Sequence, residues 1–220
     1  MTQEITFNEA TALIESAPIS LQKDILRELK AFSESSGKII CYNEDTNLPE
    51  LKVGQAVVIV NGNLKVTGII SDCEGVDSSL LIVLGNVTCK NLISLSAIFV
   101  TGDLKVAHTL LGDSLNDYSC LVGGNLEVRT IIEGGHWIKV QSEATFQYLY
   151  HSHCDAKDKN GVLKPNLANS DLMEYIEDNP DEYLGHSYVP MSEEVLKDGY
   201  YNLPKAIKFI RNGGEWFCEQ

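Results

Sequence analysis

The chain has 220 residues, of which 44% are hydrophobic and 22% are charged, a composition typical of globular proteins and unlike that of disordered or collagenous ones. No apolar run approaches the roughly 20 residues that span a bilayer, and residues 1–4 lack the basic start of a secretory signal. We therefore expect a cytoplasmic protein with no membrane partner. With 17 basic against 31 acidic residues and a net charge of −14, the chain lacks the clustered Lys and Arg that nucleic-acid binding requires.

Residues 1–37 predict a pair of helices. Thr6 and Glu9 have the spacing of a capping box, which indicates a helix over residues 7–16. A second helix is expected around residues 20–33, because apolar residues recur there on one helical face. These residues are Leu21, Ile25, Leu26, Leu29 and Phe32. We interpret this segment as a helical cap on the domain that follows.

The middle of the chain contains a repeat with a period near 20 residues. Four segments share the pattern apolar-x-Val-x-Gly-Asn/Asp-apolar-x-Val/Cys, and they are residues 58–66, 81–89, 98–106 and 120–128. Their aligned glycines are separated by 23, 17 and 22 residues. A degenerate fifth copy has Ser142 in the glycine position. Its apolar positions are Ile138, Val140, Ala144 and Phe146.

This pattern favours a short parallel β-solenoid. Alternating apolar positions turn one face of each strand inward, and the glycine permits close approach of backbone at a bend. Equivalent residues of successive coils then stack, so we expect one ladder along an edge, formed by Asn63, Asn86, Asp103 and Asn125. The alternative is an antiparallel sheet of hairpins, which would not repeat one residue type at one position. The predicted fold class is β-rich α+β, a parallel β-helix of about four to five coils with helical N- and C-terminal caps.

Residues 57–140, which carry these Gly-Asn/Asp-apolar-x-Val steps, resemble the bactofilin group of bacterial polymer-forming β-helix proteins. The resemblance implies a right-handed solenoid and end-to-end assembly through bare solenoid ends. Helical material is expected on both sides of the repeat here, and caps of this kind shield open strand edges. A discrete particle, monomeric or a small homo-oligomer, is therefore expected. A bactofilin-like scaffold that self-associates through the solenoid is the alternative.

The last part of the chain predicts a second cap. Short helices are expected over residues 172–177, 193–197 and 204–212, the last one ending at Gly213. We interpret the chain as a single domain over residues 1–220. Its parts are a helical cap (1–37), a solenoid core (38–147) and a helical or irregular C-terminal cap (148–220).

Acidic side chains concentrate in three stretches that we interpret as a partner-binding surface. Two are Asp-, Ser- and Gly-rich stretches, residues 71–79 and 112–119, predicted to protrude as loops from one side of the solenoid. The third, residues 171–182, has six acids and no base, together with an aromatic side chain. Carboxylates around an aromatic anchor suit a basic protein partner, although a solvated acidic surface is the alternative. The candidate residues are Asp72, Glu74, Asp77, Asp113, Asp117, Asp171, Glu174, Tyr175, Glu177, Asp178, Asp181 and Glu182.

Residues 151–155 form the densest candidate metal site. His151, His153 and Cys154 are zinc-ligand types, but near-adjacent residues in one loop need a distant partner to complete a tetrahedral site. No phosphate-binding, nucleophile or dinucleotide motif accompanies them. We therefore predict no enzyme, no cofactor and no metal, and keep a metal-dependent enzyme at this cluster as a third possibility. The six cysteines are expected to be reduced thiols.

These observations predict a non-enzymatic protein-binding module. An acidic, rigid, medium-sized particle can mask a cationic surface, and complementary charge steers association. The specific hypothesis is a bacterial immunity or antitoxin protein that neutralises a basic, nuclease-like toxin.

Overall fold

A computed structural model describes residues 2–17, 21–36, 38–72, 79–114, 118–151, 170–171, 193–197 and 200–214. In chain order the elements are β1 (Thr2–Ile5), α1 (Phe7–Ser16), α2 (Gln22–Ser36), β2 (Ile39–Tyr42), β3 (Thr46–Leu48), β4 (Leu51–Lys52), β5 (Val57–Val60), β6 (Leu64–Val66), β7 (Ile69–Ser71), β8 (Leu80–Val83), β9 (Val87–Cys89), β10 (Asn91–Ser94), β11 (Ala97–Val100), β12 (Leu104–Asp113), β13 (Ser119–Val122), β14 (Leu126–Gly134), β15 (Trp137–Val140), β16 (Ala144–His151), β17 (Ser170–Asp171), a 3-10 helix (Glu193–Val195), β18 (Leu196–Lys197), β19 (Tyr200–Tyr201) and α3 (Leu203–Arg211). Within these ranges no helix combines the length and apolarity needed to cross a membrane.

The strands wind into a three-sided parallel β-solenoid. The first face consists of β2, β5, β8, β11, β13 and β15. The second face consists of β3, β6, β9 and the N-terminal halves of β12, β14 and β16. The third face consists of β4, β7, β10 and the C-terminal halves of β12, β14 and β16. The solenoid prediction is confirmed, but the structure has about six turns rather than four to five.

The additional turn is the first one, over β2, β3 and β4. It has Tyr42 where the other coils have Val, Thr46 where they have Leu, Val or Ala, and Glu44 in the glycine position. Gly62 of the next coil lies against this coil, because a Cβ there would be 2.6 Å from Asp45 Oδ1. Among the described residues no earlier coil lies against Glu44, so a glycine is not required at that position.

The interior of the solenoid is filled by the inward-facing apolar residues of all three faces. Val60, Val83 and Val100 of the first face are fully buried and meet residues such as Leu64 and Leu110 across the interior. The fifth copy of the repeat is confirmed, since Ile138 pairs in register with Cys120. Burial raises the pKa of the Cys120 thiol to about 12, so this side chain contributes to packing as a neutral thiol.

Helices α1 and α2 cover the outer side of the first face, across the strands rather than over the end of the stack. Outward residues such as Ile59, Ile82 and Phe99 are fully buried against Ile25 and Leu29 of α2. The capping box of α1 is confirmed, with Glu9 N–H donating to the Thr6 hydroxyl at 3.3 Å. The predicted N-terminal helices therefore exist, but their position as an end cap is not what the structure shows.

The outer side of the third face is covered in the same way by α3. Ile93, Leu111 and Ile132 project outward and pack against Ala206 and Ile210. The predicted helix over residues 204–212 is confirmed within one residue at each end. Residues 193–197 were expected to be helical and instead form a 3-10 turn followed by β18. The expected helix over residues 172–177 lies outside the described residues.

The two ends of the first face are closed by antiparallel strands. β1 pairs with β2 at the N-terminal end, and β17 pairs with β15 at the C-terminal end. The other two faces differ at the N-terminal end. Among the described residues, β3 pairs only with β6 and β4 only with β7, which leaves one edge of each strand open.

Successive coils stack closely at the repeat glycines, where the first face turns into the second, and this leads to a stability prediction. A Cβ on Gly85 would lie 2.5 Å from the carbonyl oxygen of Gly62 in the preceding coil, where the contact is with backbone. We expect Gly85→Ala to lower the free energy of unfolding by about 1–3 kcal/mol in urea titrations, because two coils must separate locally. The control is Ser142→Ala at the equivalent, exposed position, with an expected change within about 0.5 kcal/mol. Equal effects of the two substitutions would contradict this account of the corner.

Candidate functional site

Three of the twelve predicted partner-binding residues lie among the described residues. Asp72 follows β7, Asp113 ends β12 and is half-buried, and Asp171 belongs to β17, opposite Lys139 of β15. The other nine lie outside the described residues, and their role stays a prediction. They are Glu74, Asp77, Asp117, Glu174, Tyr175, Glu177, Asp178, Asp181 and Glu182.

Asp72 is placed differently from the protruding loop that the sequence predicted. Its side chain is fully buried, and its two carboxylate oxygens accept hydrogen bonds from the backbone N–H groups of Leu95 and Ser96, both at 2.8 Å. The Ser96 hydroxyl donates in turn to the Ser79 carbonyl at 2.7 Å. In this structure Asp72 holds two coils together and is not accessible to a partner.

Asp72 belongs to a larger group of polar side chains at the corner where the third face turns into the first face of the next coil. We call this group the buried corner, and its members are Asp72, Ser79, Ser94, Ser96, Ser114, Glu133 and His136. All are buried except Ser114, which is half-buried. Because a turning backbone leaves N–H and C=O groups without strand partners, polar side chains are needed there to satisfy them.

His136 is the central side chain of the buried corner. Its Nε2 lies 2.9 Å from the Ser94 hydroxyl and its Nδ1 lies 3.0 Å from the Ser114 hydroxyl. Its backbone N–H donates to a carboxylate oxygen of Glu133. The ring also packs against Gly112, where a Cβ would be only 2.8 Å from the imidazole Cδ2. Gly112 therefore belongs to a strand that makes room for this ring, and not to the loop that the sequence predicted.

The two hydroxyl groups beside His136 are compatible with either neutral tautomer of the ring. Ser114 Oγ lies 3.1 Å from the Gly135 carbonyl and Ser94 Oγ lies 3.1 Å from the Ser96 carbonyl, so one hydroxyl can donate to its carbonyl while the other donates to the ring. Burial lowers the pKa of His136 to about 3, which keeps the ring neutral at physiological pH.

A hydroxyl paired with a neutral imidazole is the arrangement of an activated nucleophile and its base. Here, however, both Ser94 and His136 have no exposed surface, so a substrate cannot reach the hydroxyl in this structure. The geometry gives this pair a structural role in bonding successive coils. The sequence signal that was missed is the recurrence of serine at the ends of third-face strands, where Ser94 is the last residue of β10 and Ser114 directly follows β12.

The predicted ladder of Asn and Asp side chains is confirmed along the edge between the first and second faces. Each side chain accepts a hydrogen bond from the backbone N–H of the equivalent residue one coil later. In each pair the backbone N–H of the first residue donates to the side-chain oxygen of the second: Asn63 to Asp45 at 2.7 Å, Asn86 to Asn63 at 2.9 Å, Asp103 to Asn86 at 2.8 Å and Asn125 to Asp103 at 2.7 Å. The bonds from Asn63 also lower the pKa of Asp45. The ladder joins coils through its side-chain oxygens, which gives it a structural function.

The second face is the side whose outward residues are exposed. Its central row lies in register across the six strands: Asn47, Lys65, Thr88, Lys105, Glu127 and Thr145. Lys105 Nζ donates to both carboxylate oxygens of Glu127, at 2.7 and 2.8 Å. This surface is flat, polar and mixed in charge, so it does not by itself select a basic partner.

The candidate metal ligands are not brought together by the described residues. His151 ends β16, and His153 and Cys154 lie outside the described residues. Within the described ranges no group of three or more His, Cys, Asp or Glu side chains is placed to hold a metal ion. A metal site at residues 151–155 stays a prediction, which a zinc determination on protein purified without added metal would test.

Comparisons of the chain with protein-family models, curated proteins and solved structures found no significant match.

Proposed function

We propose that this protein is a non-enzymatic module that binds a basic protein partner, and that it acts as a bacterial immunity or antitoxin protein against a nuclease-like toxin. The support is the distribution of charge along a rigid fold. Residues 1–50, 51–140 and 141–220 carry net charges of −5, −2 and −7, so half of the net charge lies in the last 80 residues. Such an uneven field steers a cationic partner toward one part of the molecule.

The observation that carries the proposal is the antiparallel pairing of β17 with β15. Asp171, the first residue of the acidic segment 171–182, pairs with Lys139 on the last strand of the first face. The segment is therefore joined to the end of a rigid sheet at its first residue. An anchored segment loses less conformational entropy when a partner binds than a free tail does.

A charge-reversal variant tests this surface. We expect the combined substitution of Glu174, Glu177, Asp178 and Asp181 by Lys to weaken partner binding at least roughly tenfold, because matched interface charges would then repel. The measurement is capture of the partner by the tagged protein at low salt, elution with a salt step and titration of the purified partner.

The matched control carries the same change in net charge elsewhere. Glu4, Glu15, Glu34 and Glu143 are exposed, and their combined substitution by Lys leaves residues 171–182 intact. Retained affinity in this control, with loss in the first variant, would support the acidic segment as the interface. Unchanged affinity in the first variant would contradict it, and equal loss in both would show that only total charge matters.

A self-associating scaffold is the second candidate, and the edges of β3 and β4 that pair with no described strand are the observation that favours it. Unpaired strand edges can add further strands from another molecule. Light scattering during size exclusion separates the two candidates. A discrete monomer or dimer at all concentrations favours the binding module, whereas polydisperse assemblies that grow with concentration favour the scaffold.

A further inference from the structure

The helical cover of the first face stops before the last strand. The cluster between the helices and the first face includes Leu121 of β13 but, among the described residues, none of β15. Ser119 and Leu121 pair in register with Trp137 and Lys139, so the sheet surface continues past the helices by one strand. Because β15 is not covered, a recess of about 280 Å³ lies between the side of α2 and the sheet.

The recess has a defined wall and floor. Asp24, Arg27 and Glu28 of α2 form the wall, with Arg27 Nη1 at 3.1 Å from Asp24 Oδ1 and Arg27 Nε at 3.0 Å from Glu28 Oε1. Tyr118 stands at the side, its ring 5.8 Å from that of Phe32 of α2. The floor is the outer surface of β13 and β15, formed by Ser119, Leu121, Trp137 and Lys139.

Trp137 is unusual among the large apolar side chains. It is 38% exposed, as is Phe7, whereas the large apolar residues on the outer side of the neighbouring strands, such as Ile82 and Phe99, are covered by helices. Trp and Tyr combine a flat apolar ring with a polar atom, which suits them to contact a ligand that is apolar on one side and polar on the other. A few convergent polar groups beside an aromatic floor are characteristic of small-molecule sites.

The charged side chains that line the recess restrict which ligands it can bind. Two carboxylates are balanced by one guanidinium and one ammonium, so the lining is neutral in sum while it remains rich in donors and acceptors. Carboxylates disfavour an anion, particularly on a chain of net charge −14, and Arg27 and Lys139 disfavour a cation. A purely apolar ligand would leave these polar groups desolvated.

We propose that this recess is a binding site for a neutral saccharide, with the sugar ring stacked on Trp137 and its hydroxyl groups bonded to the polar wall. A sugar ring has an apolar C–H face and a rim of hydroxyls that both donate and accept, which matches a floor of this kind beside an ion-paired wall. The site does not depend on the protein partner proposed above.

The test uses three neutral trisaccharides, maltotriose, cellotriose and chitotriose, titrated into the full chain. The Trp216→Phe variant leaves Trp137 as the sole tryptophan, so its emission reports on the recess directly. We expect a saturable change in emission with at least one trisaccharide, with a dissociation constant of roughly 0.01–1 mM for a ligand of this size. Calorimetry with Trp137→Ala should show at least a roughly tenfold loss of affinity, the scale of one lost aromatic contact.

The matched control is Phe7→Ala, which removes the other large apolar side chain that is exposed among the described residues and should leave affinity unchanged. Thermal unfolding of each variant verifies that the fold is intact. Absence of binding for all three trisaccharides up to about 10 mM, where even a weak site fills, would overturn the proposal. So would unchanged binding in Trp137→Ala, or tighter binding of glucuronate or arginine methyl ester than of the neutral sugars.

Discussion

Substitution of Asp72 by Ala is expected to lower the free energy of unfolding by about 2–6 kcal/mol. Two backbone N–H donors, one half-buried and one buried, lose their acceptor at a cost of about 1–3 kcal/mol each. Those donors belong to Leu95 and Ser96 in the following coil, and Asp72 has no exposed surface. Urea-induced unfolding followed by circular dichroism measures the change.

Asp103→Ala is the matched control for Asp72. Asp103 also accepts a hydrogen bond from a backbone N–H of the next coil, that of Asn125 at 2.7 Å, but its side chain is exposed. Water can replace the lost oxygen there, so we expect a loss of no more than about 1 kcal/mol. If both substitutions cost the same, burial at the corner would not be the source of the effect.

Acidification is expected to destabilise the protein through His136. Because the pKa of this imidazole is about 3 in the folded state and near the ordinary 6.5 in the unfolded chain, the unfolded chain binds one more proton between these values. The contribution of His136 is therefore fully present above pH 6.5 and is lost as the pH falls toward 3. The free energy of unfolding that is lost through His136 is about 2 kcal/mol between pH 7.5 and pH 5, and about 3 kcal/mol between pH 7.5 and pH 4.

The other histidines and the carboxylates also titrate, so the measurement is a difference between two proteins. His136→Gln keeps a side chain that can bond to Ser94 but removes the titrating ring. We expect the variant to be less stable at pH 7.5. Between pH 7.5 and pH 5, its free energy of unfolding should fall by about 2 kcal/mol less than that of the original chain. Parallel losses in the two proteins would show that this ring is not shielded from protons.

The glycine-Asx pattern could be predicted from the sequence because the same physical requirement acts at every coil. Gly85 and Gly102 allow backbone to approach backbone, and Asn86 or Asp103 beside them supplies the ladder oxygen. The first coil was missed because it has Glu44 in place of the repeat glycine. Among the described residues, no earlier coil packs against that position, so a glycine is not needed there.

The position of the helices could have been predicted from one further feature of the strands. Ile59, Ile82, Phe99 and Leu121 occupy the positions that the repeat pattern leaves open, and all four are apolar. A strand that is apolar on both sides is covered on both sides. Helices with an apolar stripe, such as α2, were available elsewhere in the chain to cover it.

The buried corner and the recess could not be predicted in this way. Polar residues are mostly exposed, so Asp72 in a polar stretch was interpreted as a loop residue, and no pattern indicated that His136 is buried. The partners named above for these two side chains lie 22 to 42 positions away along the chain, as Ser114 and Ser94 do from His136. The recess depends on where the helices stop across the sheet, which the strand pattern alone does not specify.

The helices that lie across the first face also change how the solenoid unfolds. In a bare stack each coil contacts only its neighbours, so coils can detach one at a time from either end. Here one layer formed by α1 and α2 packs against five successive strands, from β2 to β13. Detaching any one of these coils exposes part of that shared layer, which couples the five into a single cooperative unit. Among the described residues, β15 of the last coil contributes none to the packing against this layer, so this coil can open without exposing α1 and α2.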